Sequence, residues 1–281
     1  MTGKTILITG CSSGIGLSVA EGLRQRGYRV FATARQMKDV ASLQDRGLES
    51  LQLDLADSVS INRAVDEILN RTFGRLDALF NNGAYGQAGA VEDLSRDVLR
   101  TQFETNLFGT MELTNRIIPV MRKQRSGRII MNSSLLGLLA LPYRGAYTAS
   151  KFALEGLTDT LRLELLSSGI HVSLIEPGPI SSRFRANSLA VFKRTIDIER
   201  SAHRAHYRGV LQRLEKPGPA APFTLPPEAV LKRVIHALES RRPKRRYYVT
   251  FPTYLLAALR RVLSYAALDR LLTRISRGEN R

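Results

Sequence analysis

Cysteine is nearly absent from this chain, whose 281 residues include only Cys11. A single cysteine excludes an intramolecular disulfide framework and gives no cysteine-based metal site. The first residues lead directly into an apolar strand pattern, without the charged region, long apolar run and cleavage site of an export signal. These features favour a reducing compartment, and we expect a cytoplasmic protein without a bound metal.

Acidic residues are also scarce, since 42 Lys and Arg stand against 25 Asp and Glu and the net charge is +17 at pH 7. The excess is uneven, because residues 240–281 carry eleven Lys or Arg against only Asp269 and Glu279. More than half of the net charge therefore lies on a basic C-terminal tail. The remainder of the chain has a smaller net positive charge, and we expect no nucleic-acid partner.

No apolar run in the C-terminal region is long enough to cross a bilayer. The stretch 253–276 contains too many charges, but its apolar residues fall roughly along one helical stripe while its arginines lie elsewhere. We interpret 251–281 as a basic amphipathic helical extension. It either packs on its own domain or a partner subunit, or lies peripherally on the inner face of an anionic membrane. The stripe consists of Leu255, Leu256, Leu259, Leu263, Ala266, Ala267, Leu271 and Ile275.

Apolar strand patterns alternate with helical patterns through the first 176 residues. This alternation predicts an α/β fold: a Rossmann-type, doubly wound parallel sheet in three α/β/α layers, forming a single domain over residues 1–250. The stretch 183–227 is less regular and Pro-rich near its end, so we interpret it as a substrate flap. The predicted strands span 5–8, 28–33, 48–53, 78–81, 128–132 and 171–176.

A glycine-rich turn follows the first predicted strand, with the sequence Gly10-Cys11-Ser12-Ser13-Gly14-Ile15-Gly16. Such a turn lets the backbone approach a pyrophosphate, while the following helix offers free N–H groups at its N-terminus. Three glycines alone could form an ordinary tight turn. The strand before them and the amphipathic helix after them favour a dinucleotide site.

The end of the second predicted strand distinguishes between the two nicotinamide dinucleotides. An NAD site has an acidic residue about twenty positions beyond the glycines, whereas a 2′-phosphate favours arginine. Here the strand runs into Arg35, and no carboxylate occurs before Asp39. We therefore expect NADP(H) rather than NAD(H), with Ser13 as a second donor, although Arg35 could also be a solvated surface residue.

Tyr147 precedes Lys151 by one helical turn, in the stretch GAYTASKFAL. That spacing puts both side chains on one face of a helix, but such a pair often arises by chance. Each candidate residue also has a structural alternative: a buried tyrosine hydroxyl bonded to backbone, a solvated lysine, a helix-capping serine at Ser134, or a paired mid-helix asparagine at Asn106. Other motifs must therefore distinguish a catalytic site from these structural alternatives.

Several ordered motifs together resemble the classical short-chain dehydrogenases/reductases over residues 4–182. Residues 9–16 match the family's TGxxxGxG and residues 147–151 its YxxxK, with Ser134 thirteen positions before the tyrosine. Further matches are Asp54 to the adenine-contacting acid, Asn106 to the helix asparagine, and Pro177-Gly178 to the turn beside the nicotinamide. Two departures are Asn-Asn-Gly-Ala at 81–84, where NNAG is usual, and Ser182, where threonine is common. The swapped small residues should keep the turn at 81–84.

The resemblance implies hydride transfer with Tyr147 as the general acid in reduction and the general base in oxidation. The Lys151 ammonium would lower the pKa of that tyrosine and hold the nicotinamide ribose, and Ser134 would hydrogen-bond the carbonyl oxygen. Asn106 would anchor a water in the proton path. The implied cofactor-binding residues are Gly10, Ser12, Ser13, Gly14, Ile15, Gly16, Arg35, Asp54, Leu55, Asn82, Gly83, Tyr147, Lys151, Pro177, Gly178, Ile180 and Ser182.

The scaffold motifs are most similar to the 17β-hydroxysteroid and retinol dehydrogenase branch and to bacterial NADP-dependent aldehyde reductases. They constrain the substrate only loosely. Leucines at 135–141 would form an apolar wall, or would simply fill the core, and Phe184, Leu189, Val191 and Phe192 would cover the substrate. We expect a bulky hydrophobic aldehyde or ketone, bound by Ser134, Leu136, Tyr143, Tyr147 and Phe184.

Two classes of function remain open from the sequence. One is an NADP-dependent carbonyl oxidoreductase, and the other is a catalytically idle dinucleotide-binding scaffold that acts through protein partners. The intact set Asn106, Ser134, Tyr147 and Lys151 favours the enzyme. By resemblance to the family's dimer faces, the predicted helices near 95–123 and 150–167 imply a homodimer or homotetramer.

Overall fold

The computed structural model describes residues 3–219 and 221–279, and the strands found there form one parallel sheet. Its strand order is β3-β2-β1-β4-β5-β6-β7, so the order reverses between β1 and β4. The strands are buried apolar segments, as expected for a parallel sheet covered on both faces. They are β1 (Thr5–Ile8), β2 (Arg29–Ala34), β3 (Glu49–Gln52), β4 (Ala78–Asn81), β5 (Gly127–Asn132), β6 (Ile170–Glu176) and β7 (Arg246–Tyr248).

Helices cover both faces of this sheet. One face packs against α1, α2 and α9, and the other against α3, α5 and α6, so two apolar clusters enclose the strands. The Rossmann-type fold and its three layers are therefore confirmed. The α-helices are α1 (Gly14–Gln25), α2 (Met37–Asp45), α3 (Ser58–Arg71), α4 (Arg96–Phe103), α5 (Gly109–Gln124), α6 (Gly145–Glu164), α7 (Phe184–Thr195), α8 (Arg204–Glu215), α9 (Glu228–Glu239), α10 (Phe251–Val262) and α11 (Tyr265–Glu279).

The six predicted strands differ from the observed ones by no more than one residue at either end. The seventh strand, β7, was not predicted. It has only three residues and includes the charged Arg246, whose guanidinium pairs with Glu155, Glu176 and Asp159 beneath the sheet edge. Three residues that include a charged side chain give no apolar strand pattern. The carboxylates that neutralise this charge are distant in sequence, so no local signal indicates them.

The predicted flap is more regular than the sequence indicated. Residues 183–227 contain two twelve-residue helices, α7 and α8, which pack on each other and on the segment around Ala88. Phe192 is fully buried with its ring 5.2 Å from that of Tyr207. The expectation that Phe192 covers substrate is wrong, because its side chain belongs to the core of this region.

The C-terminal apolar stripe is also different from the prediction. The helix breaks at Leu263 and Ser264, so α10 and α11 present apolar residues in different phases. Leu256, Leu268 and Leu272 are buried against leucines of the segment 135–141, while Leu255 and Ala266 of the predicted stripe are exposed. This contact favours the interpretation that the extension packs on its own domain. In the described residues, no helix is long and apolar enough to span a membrane.

Truncating Leu272 tests whether this packing holds in solution. We expect Leu272→Ala to lower the free energy of unfolding by about 2–4 kcal/mol, because it removes a buried side chain and leaves a cavity. The exposed Leu255→Ala is the matched control and should change stability little. Urea unfolding of both variants measures the difference, and equal small effects would mean that α11 is not docked.

Candidate active site

The glycine-rich turn after β1 lies where the strand order reverses, which is where open α/β sheets bind their ligands. Gly10 and Gly14 have φ angles of 69° and 59°, in the left-handed region that favours glycine. Ser13 precedes α1 in an extended conformation, and its side chain makes no capping hydrogen bond. The first-turn N–H groups of α1 are therefore not satisfied by that side chain, and they suit the phosphate oxygens of a dinucleotide.

Side chains of β4 and β5 hold this turn in place. The Thr9 hydroxyl accepts hydrogen bonds from the backbone N–H groups of Asn82 and Gly83, at 2.9 and 2.8 Å. The Asn82 amide donates to the carbonyls of Thr9 and Gly10, at 2.9 and 3.1 Å. Asn132 donates to the Asn82 Oδ1 atom at 2.9 Å. Thr9 and Asn132 were not among the predicted site residues, although Thr9 opens the TGxxxGxG motif and so carried a signal.

The departure at 81–84 leaves the turn intact. Neither Gly83 nor Ala84 has a positive φ, so the local backbone does not require glycine at either position. A Cβ atom on Gly10 would lie only 2.7 Å from the Gly83 Cα, which shows how closely the two turns approach. The exchanged small residues are compatible with a turn in which the N–H groups of Asn82 and Gly83 donate to Thr9.

The rim of the crevice carries the predicted adenosine-binding residues. Arg35 is exposed just after β2, and its backbone carbonyl accepts a hydrogen bond from Gln52. The Asp54 Oδ1 atom accepts from the backbone N–H of Ala56 at 3.0 Å, and Leu55 is buried beside it. The side chain of Arg35 makes no ion pair with any described carboxylate, so its guanidinium is available to an anion.

The loop after β6 closes the other side of the crevice. The Pro177 carbonyl accepts a hydrogen bond from the N–H of Leu135 at 2.8 Å, which joins this loop to the one that carries Ser134. Ile180 bridges to Leu225 at the end of the predicted flap. A Cβ atom on Gly14 would lie 2.8 Å from the Ser182 Cβ. The segment 177–182, including Gly178, therefore faces the glycine-rich turn.

Tyr147, Lys151 and Ser134 meet between these loops. The Ser134 hydroxyl accepts from the N–H of Leu136 at 3.1 Å and interacts with the Tyr147 phenol. The Lys151 Nζ atom donates to the Asn132 carbonyl at 2.7 Å and lies 5.8 Å from the centroid of the Tyr147 ring. Helix α6 thus directs the tyrosine and the lysine to the carboxyl ends of β5 and β6, as its one-turn spacing predicts.

The expected lowering of the Tyr147 pKa is wrong for this structure. Burial raises the pKa of Tyr147 to about 12, and the hydrogen bond with Ser134 offsets only part of that rise. Burial also lowers the pKa of Lys151 to about 8, with the carboxylate of Glu155 opposing the shift. The lysine ammonium donates to the Asn132 carbonyl rather than to the phenol, and desolvation is the largest cause of both pKa shifts. The Tyr147 phenol is therefore neutral at pH 7.

Asn106 lies in a π-helical turn between α4 and α5 and is buried. Its amide donates to the Tyr85 carbonyl at 2.9 Å and to the Ser150 hydroxyl at 3.1 Å, and its Oδ1 atom accepts from the Tyr85 N–H. Ser150 in turn donates to the Tyr147 carbonyl at 2.8 Å. The asparagine therefore connects the loop after β4 to the helix that carries Tyr147. Single-turn π bulges are frequent at functional sites.

The predicted substrate-binding residues Leu136, Tyr143 and Phe184 do not share one environment in the structure. Phe184 is half-exposed, and its ring lies edge-on to Tyr147 with a centroid separation of 5.2 Å. Leu136 is buried in the leucine cluster with α10 and α11, and Tyr147 packs on the same cluster. Tyr143 has a φ of 62° and contacts the rings of His203, His206 and Tyr207. Of the leucines at 135–141, four are buried in this cluster, which agrees with the alternative that they fill the core: Leu135, Leu136, Leu139 and Leu141.

The burial of Lys151 makes stability depend on pH. Its pKa is about 8 in the folded protein against an ordinary value of 10.5, so the unfolded chain binds more protons between these values. The folded protein should gain stability, relative to Lys151→Met, as the pH rises through this window, by about 3 kcal/mol. Urea unfolding below pH 8 and near pH 10.5 measures the change. Lys38→Met, at an exposed position, is the matched control. A flat difference for Lys151→Met would indicate a solvated ammonium.

A parallel sheet with a phosphate-binding turn at its switch point, beside a tyrosine, lysine and serine, defines a dinucleotide-dependent oxidoreductase. The model of the short chain dehydrogenase family matches residues 4–190, and the chain belongs to that family.

Individual relatives agree with this assignment. The chain is 43% identical over 269 residues to the uncharacterized oxidoreductase YbbO of Escherichia coli K12, covering 96% of this chain and 94% of that protein. It is 35% identical over 269 residues to human 17-beta-hydroxysteroid dehydrogenase type 1, covering 89% of this chain and 78% of that protein. A short-chain dehydrogenase structure from Streptomyces avermitilis is similar with a TM-score of 0.76 at 27% identity, and 98% of each chain is covered.

Proposed function

We propose that this oxidoreductase uses NADP(H) to interconvert a hydrophobic aldehyde or ketone and its alcohol, with Tyr147 as the general acid and base. The observation that carries the proposal is the meeting of Tyr147, Ser134 and Lys151 at the edge of the sheet that also holds the glycine-rich turn.

The dinucleotide would supply or accept the hydride, and side chains of this protein would transfer the proton. Ser134 hydrogen-bonds the carbonyl oxygen of the substrate, which orients that oxygen toward the Tyr147 phenol. As negative charge develops on the oxygen, Tyr147 donates its proton. The raised pKa of the phenol keeps it protonated at neutral pH, which suits the reductive direction.

The surrounding residues hold this donor in position. Lys151 would contact the nicotinamide ribose from its place beside the tyrosine, and Asn106 would fix the path by which the phenol is reprotonated. Both roles are consistent with the Asn132–Lys151 and Asn106–Ser150–Tyr147 hydrogen bonds. Arg35 would pair with the 2′-phosphate, because no carboxylate stands at the end of β2 to accept ribose hydroxyls.

We propose a hydrophobic substrate because apolar groups surround the reacting position. Phe184 lies against Tyr147, and the leucine cluster with α10 and α11 forms the adjacent surface. The flap 183–227, which is part of the catalytic domain 1–250, would then cover the bound substrate. The extension 251–281 would complete the wall of the substrate pocket. Leu136 and Tyr143 are supporting residues of that pocket.

We further propose a homodimer built on α5 and α6. Helix α6 and the residues next to α5 and α6 expose several large apolar side chains, which a soluble surface rarely presents together. They are Phe108, next to α5, and Phe152, Leu157, Leu163 and Leu166, on or next to α6.

A panel of carbonyl compounds tests the proposed reaction. Medium-chain and aromatic aldehydes, retinal and keto-steroids are each supplied with NADPH, and the fall in NADPH absorbance is followed. We expect turnover with at least the hydrophobic aldehydes and little turnover with small polar ones. No turnover with any compound, together with tight NADPH binding, would instead support the idle scaffold.

A further inference from the structure

Two adjacent clefts lie between β7 and the helices α9 and α10. One has a volume of about 220 Å³ and the other about 300 Å³, and Arg246 and Tyr248 line both. We name them together the basic cleft. Its cationic lining residues are Lys232, Arg233, Lys244, Arg246, Arg260 and Arg261.

The charge of the basic cleft is not balanced from within. None of the residues that line it is acidic. Arg246 has its carboxylate partners behind the cleft, but Lys232, Arg233 and Lys244 pair with no carboxylate in the described chain. The Nε atom of Arg233 is buried without a hydrogen-bond partner. Cations held together in this way repel one another, and a bound anion would satisfy them.

Helix α10, which forms one wall of this cleft, has a second apolar face that nothing in the described chain covers. Thr253, Leu256 and Ala257 point inward and are buried. The opposite face repeats at intervals of three or four residues, and we name it the outer stripe. It consists of Phe251, Tyr254, Leu255, Ala258 and Val262, all exposed.

The outer stripe continues beyond α10 and adjoins the cationic residues. The exposed Phe223 ring lies 5.1 Å from the Phe251 ring, which widens the apolar surface. Tyr254 belongs both to the stripe and to the lining of the basic cleft, where its ring lies edge-on to Tyr248. Aromatic and aliphatic side chains therefore border directly on the unpaired cations.

We propose that this face docks on an anionic lipid bilayer, with headgroup phosphates in the basic cleft and the outer stripe among the upper acyl chains. A helix of twelve residues is about 18 Å long and can lie flat in the interface. The surface differs from the apolar stripe expected from sequence, most of which packs inward. The inference does not depend on the proposed reaction.

Two other occupants fit this face less well. A free phosphate would account for the cations but not for the exposed apolar stripe beside them. A second copy of the chain in a two-fold dimer would bring the same surface against itself, and would oppose cations to cations. Only an anionic and apolar partner matches both features.

Vesicle co-sedimentation of the full chain tests the proposal. We expect binding to vesicles of equal parts phosphatidylcholine and phosphatidylglycerol, little binding to phosphatidylcholine alone, and release at high salt. Each basic side chain near such a surface multiplies the affinity by about five, so Arg233→Gln/Lys244→Gln should weaken binding about 25-fold. Phe251→Ser/Leu255→Ser should weaken it about tenfold or more, because two apolar side chains leave the lipid.

Arg63→Gln/Arg75→Gln is the matched control, since it removes the same charge from exposed positions on and after α3. It should change binding by less than about twofold, because distant charges are screened. Circular dichroism verifies folding, and Lys232→Gln/Arg261→Gln replaces the first pair if that pair does not fold. Absence of binding by the unchanged protein, or an equal loss in the control, would overturn the proposal. An altered oligomeric state of the Phe251→Ser/Leu255→Ser variant without lipid, with vesicle binding unchanged, would assign the face to a second copy.

Discussion

Replacing Tyr147 with phenylalanine should lower kcat by a factor of about one hundred to ten thousand, the usual contribution of a positioned general acid. The phenol is the proposed proton donor next to Ser134, and its pKa of about 12 keeps it protonated at neutral pH. The ring itself remains in Tyr147→Phe, so the contact with Phe184 and the leucine cluster should persist. NADPH affinity, measured by fluorescence titration, should therefore change little while turnover is lost.

Tyr265→Phe is the matched control for this variant. Tyr265 is exposed at the start of α11, and removal of its hydroxyl should leave kcat unchanged. If Tyr147→Phe retains most of its turnover, another group protonates the substrate and the proposed mechanism is incorrect. If turnover and NADPH binding fall together, the tyrosine acts mainly on the cofactor.

Reversing the charge at Arg35 should change the cofactor preference. Arg35→Asp removes the cation proposed to pair with the 2′-phosphate and places a repelling carboxylate there, as in an NAD site. Hydrogen bonds to a charged group contribute about 1.5–3 kcal/mol. With the added repulsion, kcat/KM for NADPH should fall about 100- to 1,000-fold. The value for NADH should fall much less or rise.

Lys38→Asp makes the same change of charge three positions along the chain, in α2. It should lower kcat/KM for NADPH far less than Arg35→Asp, because the charge is not at the end of β2. Steady-state kinetics with both cofactors measure the two ratios. Parallel losses for NADPH and NADH in Arg35→Asp would show that Arg35 supports the fold or the adenosine rather than the 2′-phosphate.

The sheet was predictable because parallel strands covered on both faces are nearly continuous apolar runs. Thr5–Ile8 and Ala78–Asn81 agree with the prediction at both ends. Arg246–Tyr248 was not predictable, since its register against β6 depends on carboxylates that lie about 70 to 90 residues away in sequence. The local apolar pattern determines β1 and β4, whereas charge pairs between distant parts of the chain determine β7.

The C-terminal helices show a similar limit. A single helical period was assumed across residues 255–275, but the break at Leu263 and Ser264 shifts the phase. As a result Leu268 and Leu272, which the predicted stripe omitted, are the buried apolar residues of α11. The sequence indicated an amphipathic extension, but only the packed structure distinguishes its inner face from the outer stripe.

Within the crevice, the motifs indicated which residues come together but not their electrostatics. The spacing of Tyr147 and Lys151 predicted their shared face, and the structure has them side by side. The spacing gave no information on burial, which raises the pKa of Tyr147 and lowers that of Lys151. The contacts of Asn132 could not be predicted either, because asparagine at a strand end is common in proteins without such a site. Thr9 did carry a signal, as the first residue of the TGxxxGxG motif.

Isotope transfer tests the central claim most directly. The protein is given NADPH that carries deuterium at the transferable position of the nicotinamide, together with a hydrophobic aldehyde, and the alcohol is analysed by mass spectrometry. We predict that the alcohol gains one deuterium from the cofactor, at the former carbonyl carbon, and that Tyr147→Phe forms almost none of it. Alcohol formed without deuterium, or label transfer undiminished in Tyr147→Phe, would contradict the account.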